Sequence, residues 1–134
     1  MVAIDERSIA AIGRWPWRRV LHAELLRQIS RHEPQAIGLD ILFTEEDTVN
    51  PVDDTLLASA IRSSGRVVLP VMMQTRGTVE QAVTPIPALA SAAQTLGHGH
   101  IDIDAGGITS RVFMPAGLPD HLWPRFSVAM LEPA

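Results

Sequence analysis

The sequence predicts an α/β fold: a partly parallel sheet covered by helices, with a C-terminal antiparallel hairpin. Three observations predict it. Ala36-Ile37-Gly38-Leu39-Asp40-Ile41-Leu42-Phe43 is nearly all apolar, as a strand inside a parallel sheet is. Segments of helical periodicity alternate with such apolar runs, in the order β-α-α-β-α-β-α-β-β-α. Late in the chain, Asp104-Ala105-Gly106-Gly107 separates two strand-like segments, a hairpin signal. The 134 residues suit one domain, and 46% hydrophobic with 19% charged residues marks a globular chain.

Each element has its own reason. Val2-Ala3-Ile4 is a short apolar run, read as a buried strand that ends at Asp5. Residues 5–13 read as a short helix with Asp5 as its cap and Gly13 as its end. Arg14 to Arg19 is a junction, with Pro16 suited to the first turn of the next helix. That helix extends to about His32, with Leu21, Leu25 and Ile29 as its apolar stripe and Leu26 widening it. Pro34 stops it, and Ala36–Phe43 follows as the central strand. Thr44 to Pro51 is an acidic loop. Asp53 or Asp54 caps a third helix through Ser63, with Leu56, Leu57, Ala60 and Ile61 on one face and Gly65 as C-cap. Val67 to Met72 is the next strand, placed at an edge or bulged because Pro70 has no N–H for a ladder. Gln74 to Pro85 reads as a polar surface loop, and Pro87 to Leu96 as a helix. Gly99–Ile103 and Ile108–Met114 form the hairpin, Pro115 to Pro124 is irregular, and a last helix begins at Phe126.

Composition excludes several functions. There is no Cys, so disulfides, thiol nucleophiles and Cys-ligated metals are out. All 11 basic residues are Arg, which removes Schiff-base chemistry and a Walker A loop, and weighs against a two-component receiver domain. The net charge of −4 argues against nucleic acid as a partner. The longest apolar run, Val67 to Met73, is far short of the ~20 residues that a membrane helix needs. There is no secretory signal, and an opening strand at residue 2 predicts a domain cut from a longer protein.

Chemistry-bearing residues fall in three groups. Asp5 and Asp40 end predicted strands, where parallel sheets bind ligands. They can hold Mg²⁺ or Ca²⁺ with Glu45, Glu46 and Asp47. In the other reading Asp5 caps a helix and Asp40 pairs with an Arg of the 14–19 junction, and no metal or cofactor is bound. We adopt this second reading. Arg14, Trp15, Trp17, Arg18 and Arg19 form the most unusual cluster. Arg forks beside indole faces hold small polar or anionic molecules, or else the rings pack on the core with the Arg side chains across them. The junction is expected to share one crevice with Asp5 and Asp40. His98, His100, Asp102 and Asp104 alternate, and on a strand would share a face. This pattern serves a Zn²⁺ site or, as we read it, a solvated edge. Ile101-Asp102-Ile103-Asp104 resembles the first motif of haloacid-dehalogenase-type phosphatases, but too little chain follows and the auxiliary lysine is missing. No Gly-x-Ser-x-Gly elbow exists among the serines.

The strings Val2-Ala3-Ile4-Asp5-Glu6-Arg7-Ser8-Ile9, Gly13-Arg14-Trp15-Pro16-Trp17-Arg18-Arg19 and His22-Ala23-Glu24-Leu25-Leu26 resemble the opening of the second CHASE family. Ile37-Gly38-Leu39-Asp40-Ile41-Leu42-Phe43, Val67-Val68-Leu69-Pro70 and the late Gly99-His100-Ile101, Asp104, Gly107 and Arg111 are similar to its later signatures. Leu39 stands where an aromatic is common, and Gly106 where a second acid is often found. The resemblance implies an extracytoplasmic, non-catalytic sensor in a bacterial membrane receptor. The output domain would be a histidine kinase, a nucleotide cyclase, a diguanylate cyclase or a Ser/Thr kinase. It further implies flanking transmembrane helices; a small-molecule or physical stimulus and a homodimer are expected as partners. Ligand-binding or coupling residues are then expected at Asp5, Arg14, Trp15, Trp17, Arg19 and Asp40. Two alternatives remain open: a small metal-dependent hydrolase built on Asp5 and Asp40, and a ligand-free dimerisation domain.

Overall fold

The computed structural model describes residues 1–76, 78–101 and 113–131. Its elements are α1 (Glu6–Ile12), α2 (Arg19–Ser30), β1 (Ile37–Gly38), α3 (Pro51–Ser64), β2 (Val67–Arg76), β3 (Val79–Val83), α4 (Pro87–Ala90), β4 (Thr95–His98), β5 (Pro115–Leu118), β6 (His121–Pro124) and α5 (Phe126–Ala129). The architecture is the expected α/β one, with a partly parallel sheet and a C-terminal antiparallel hairpin.

β2 is the organising strand. Its first half pairs in parallel with β1 on one side and with β4 on the other. Val67 to Val71 are all buried, which is why this run is apolar throughout. The expectation of an edge position for Pro70 is therefore wrong, and the hydrogen bonds show why a proline is tolerated. Val68 O accepts from Leu39 N, whereas Val67 O and Val71 O accept from Gln94 N and Gly99 N on the β4 side. By alternation the backbone nitrogen of Pro70 faces the β1 side, where the ladder has just ended. Conversely, the run Ala36–Phe43 is an edge, not the centre. Only Ile37 and Gly38 pair as a strand, and Ile37, Leu39 and Phe43 point inward while Asp40 and Leu42 are exposed.

Helices cover both faces. Ala23 and Leu26 of α2 and Leu57, Ala58, Ala60 and Ile61 of α3 pack on Val67, Leu69 and Leu89. On the other face lies α5. A Cβ at Gly38 would run into Met130 and Phe126, and one at Gly97 would stand 2.6 Å from the Phe126 backbone. Those two glycines let α5 settle against the sheet.

Several local expectations need correction. Residues 1–5 form no strand, and Val2 and Ile4 are exposed. α1 does carry its Asp5 cap, with Ser8 N donating to Asp5 Oδ1 at 2.9 Å and Asp5 N donating to Ser8 Oγ at 2.9 Å. Pro16 precedes α2 and is not in its first turn. The buried face of α2 is His22, Ala23 and Leu26, while Leu21 is exposed and Leu25 and Ile29 are half-buried. α3 begins at Pro51 with Asn50 as its N-cap and ends at Gly65, whose φ of 63° suits a glycine. The polar stretch from Gln74 is no loop. It continues β2 and turns back as β3, with Arg76 opposite Val79. The helix expected to Leu96 stops at Ala90, because Gln94 N reaches Val67 O and starts β4. The hairpin expected around residues 104–107 lies largely outside the described residues. The hairpin that is described is β5–β6, in a stretch read as irregular.

Candidate functional site

A cleft of about 540 Å³ opens where the α1–α2 junction meets the segment after β1. Trp15, Trp17, Arg18, His22, Phe43 and Asp47 are among its walls. The junction places the two tryptophans side by side, their rings 5.7 Å apart and edge-on. The first turn of α2 sets His22 beneath them, with ring centroids 5.5 Å from Trp15 and 6.3 Å from Trp17. Phe43, pointing inward by strand alternation, closes the other side at 5.5 Å from His22. Four rings from three parts of the chain thus meet at one point, in edge-on and tilted geometries that aromatic quadrupoles favour.

Two ion pairs hold the rim. Arg18 grips Asp53 as a fork, with Nε at 3.1 Å from Oδ2 and Nη2 at 2.9 Å from Oδ1. Arg19 donates to Asp54 and to the carbonyl of Glu45, and its guanidinium carbon stands 5.4 Å from the Phe43 centroid. Asp53 has a second task. Its Oδ2 accepts from Val20 N at 3.4 Å, so a carboxylate in the first turn of α3 satisfies a free N–H in the first turn of α2. The Arg18 guanidinium beside Asp53 and this backbone bond hold the Asp53 carboxyl below its usual range, although burial opposes them. Asp54 Oδ2 accepts from Asp47 N at 2.9 Å, and Asp47 Oδ1 accepts from Val49 N and Asn50 N, which orders the acidic loop.

His22 is the exception in this well-bonded rim. The residue is 1% exposed, and among the described residues its Nε2 has no hydrogen-bond partner. Burial, aided by the positive Arg19, pushes its pKa down, so the ring is neutral at neutral pH.

The structure gathers some of the expected site residues and not others. Trp15, Trp17 and Arg19 line the cleft. Arg14 is exposed and lies outside its wall. Asp5 is tied to Ser8 at the α1 cap, which holds its carboxyl below the usual range. Asp40 is exposed and lines a separate cavity of about 310 Å³ with Pro70, Met72 and His100. Asp5 and Asp40 therefore share no crevice, and the expected Arg partner of Asp40 is taken by Asp53 and Asp54. By position alone, Asp53 and Asp54 read only as caps of the third helix. The matching signal in the sequence is a consecutive Arg18-Arg19 and a consecutive Asp53-Asp54. His22, on the inner face of α2, carries no such signal because a polar residue breaks the apolar stripe.

The late histidines separate. His98 is fully buried, with Nδ1 accepting from His100 N at 3.2 Å, so its Nε2 carries the proton and meets Met114 O at 3.3 Å. Asp102 and Asp104 lie outside the described residues. Among the described residues no cluster of metal-ligating side chains forms.

A family model for the CHASE2 domain matches residues 1–134, the whole chain. The chain belongs to the CHASE2 domain family. CHASE2 domains are extracytoplasmic sensory domains associated with cyclases and histidine kinases. A sensing role follows for this CHASE2 domain in general terms. No curated protein and no solved structure matches. Among the described residues, no helix is long and apolar enough to cross a membrane.

Proposed function

We propose that this CHASE2 domain is the non-catalytic, ligand-sensing module of a bacterial transmembrane receptor. It would stand on the periplasmic side and control a cytoplasmic histidine kinase, nucleotide cyclase, diguanylate cyclase or Ser/Thr kinase through flanking membrane helices. The observation that carries the reading is the cleft. It combines Trp15 and Trp17, a buried unpartnered His22, and rim arginines held in ion pairs, the composition of a small-molecule site. A stimulus that binds one arrangement of the junction better than another would shift the population and thereby the output. The Arg18–Asp53 and Arg19–Asp54 pairs join the first turn of α2 to the first turn of α3. They are the elements whose rearrangement would pass that shift on.

The hydrolase alternative loses ground because its two acids stand apart, one at a helix cap and one in a different cavity. Location is testable with a cysteine, since the domain has none. In the full-length receptor, Ser59→Cys on the exposed side of α3 should react with a membrane-impermeant maleimide in intact cells, above the level of the unmutated receptor. Reaction only after lysis would place the domain in the cytoplasm and end this reading.

A further inference from the structure

We propose that the cleft takes a small uncharged aromatic or heteroaromatic molecule, oriented by a hydrogen bond to the imidazole of His22. The proposal rests on the reading of the domain as a sensor and adds the chemical class of its ligand.

His22 Nε2 is shielded from solvent beside three aromatic rings and has no partner among the described residues. A buried polar atom in that condition is costly and uncommon in a folded protein. A ligand that carries a hydroxyl or an amide to that atom removes the cost, and the surrounding rings supply contact area for a planar body. At about 540 Å³ the space is large enough for a one- or two-ring molecule.

Charge selects against ions of either sign. The Arg18 fork is spent on Asp53, and Arg19 is spent on Asp54 and the Glu45 carbonyl. Asp47 adds a further carboxylate at the wall. An anion thus finds no free clamp. A cation meets the guanidinium groups of both Arg18 and Arg19 on the same wall as Asp47, and the face of Phe43 is already taken by Arg19.

The rings also differ in how firmly they are held. Trp17 Nε1 donates to Gly13 O at 2.8 Å, which pins that indole to the end of α1. Trp15 is 38% exposed, and among the described residues its N–H makes no hydrogen bond. A ligand reaches His22 by moving Trp15 and stacking in its place. The junction that carries Trp15 leads back to α1, a helix that buries no residue of its own.

The test uses the 134-residue chain labelled with ¹⁵N-histidine, titrated with phenol, toluene, benzoate and benzylammonium. Phenol should shift the Nε2 resonance of His22 and bind roughly fivefold tighter than toluene, the factor that one ordinary net hydrogen bond provides. In His22→Phe the two should bind alike. Toluene matching phenol in the unmutated chain, an unmoved His22 resonance at saturation, or tighter binding of either ion would overturn the proposal. So would the absence of binding by all four. These readouts need only the unmutated chain, so a misfolded His22→Phe does not block them. If the ligand class fails while Trp17→Ala still alters the output of the full-length receptor, the sensor reading survives.

Discussion

Asp53 illustrates how a single residue joins two helices. Its carboxylate receives the Arg18 fork and also caps Val20 N of α2. Asp53→Ala should cost at least ~1 kcal/mol for the lost cap alone, read from urea unfolding. Asp53→Asn, which keeps an acceptor for Val20 N, should cost less, and equal losses would contradict the capping role. Protonation adds a second residue-scale prediction. His22 and His98 both have lowered pKa values, chiefly through burial. A depressed histidine contributes full stability above the unfolded value of about 6.5 and loses it as pH falls toward the folded value. Asp53 is a depressed carboxylate, so its contribution is present above about 3.9 and lost below, through its own lowered value. Urea midpoints should therefore fall in two steps, one beginning below about pH 6.5 and one below about pH 4. His22→Phe should shrink the first step only, and a flat profile between about pH 7 and 5 would contradict the burial of both rings. The tryptophan–arginine cluster was legible in the sequence because two of the three tryptophans stand there among three arginines, residue types that mark binding surfaces. Its acidic partners were not, because a pair spanning 35 positions is set by how α2 meets α3, and aspartate near a helix start reads equally well as a cap.

Among the elements, α2 shows where periodicity misleads. Leu21, Leu25 and Ile29 lie at helical spacing, yet the inner face is His22, Ala23 and Leu26. Counting only apolar residues turned the stripe by one position, since the buried imidazole of His22 counts as polar. Leu26→Ala should cost ~2–5 kcal/mol by cavity formation, and Leu21→Ala should stay within ~0.5 kcal/mol. The reverse order would restore the face that the spacing suggests. Proline in β2 misled in the same way. The rule that proline avoids central strands concerns its missing N–H, and here that position faces the side where β1 has already stopped. Glycine tests the second face of the sheet. Gly97→Ala would drive a methyl group toward the Phe126 backbone at 2.6 Å, whereas a Cβ at Gly99 meets nothing within 4 Å. The first should destabilise by ~1–3 kcal/mol and the second should be far milder. Equal thermal stability of the two variants would mean that α5 does not press on β4.

For the whole molecule, the class of the fold was readable because a parallel, twice-covered strand demands continuous apolar sequence, and Val67 to Val71 supplies it. The position of each strand in the sheet was not, because β1 and β2 look equally apolar and only the tertiary pairing puts β2 in the middle. Parts of the Gly13–Arg19 and Ile37–Phe43 strings, namely Trp15 to Arg19 and Ile41 to Phe43, line one cleft. The central claim is that this cleft is where the receptor senses. It is tested most directly in the full-length receptor, with the activity of its output domain assayed in cells. Trp17→Ala, at unchanged receptor abundance, should shift basal output or abolish the response to stimulus. Arg14→Ala, outside the cleft wall, should shift it less. Receptors carrying Trp15→Ala or Trp17→Ala that fold and signal like the unmutated protein would contradict the account, and the junction would then be packing alone.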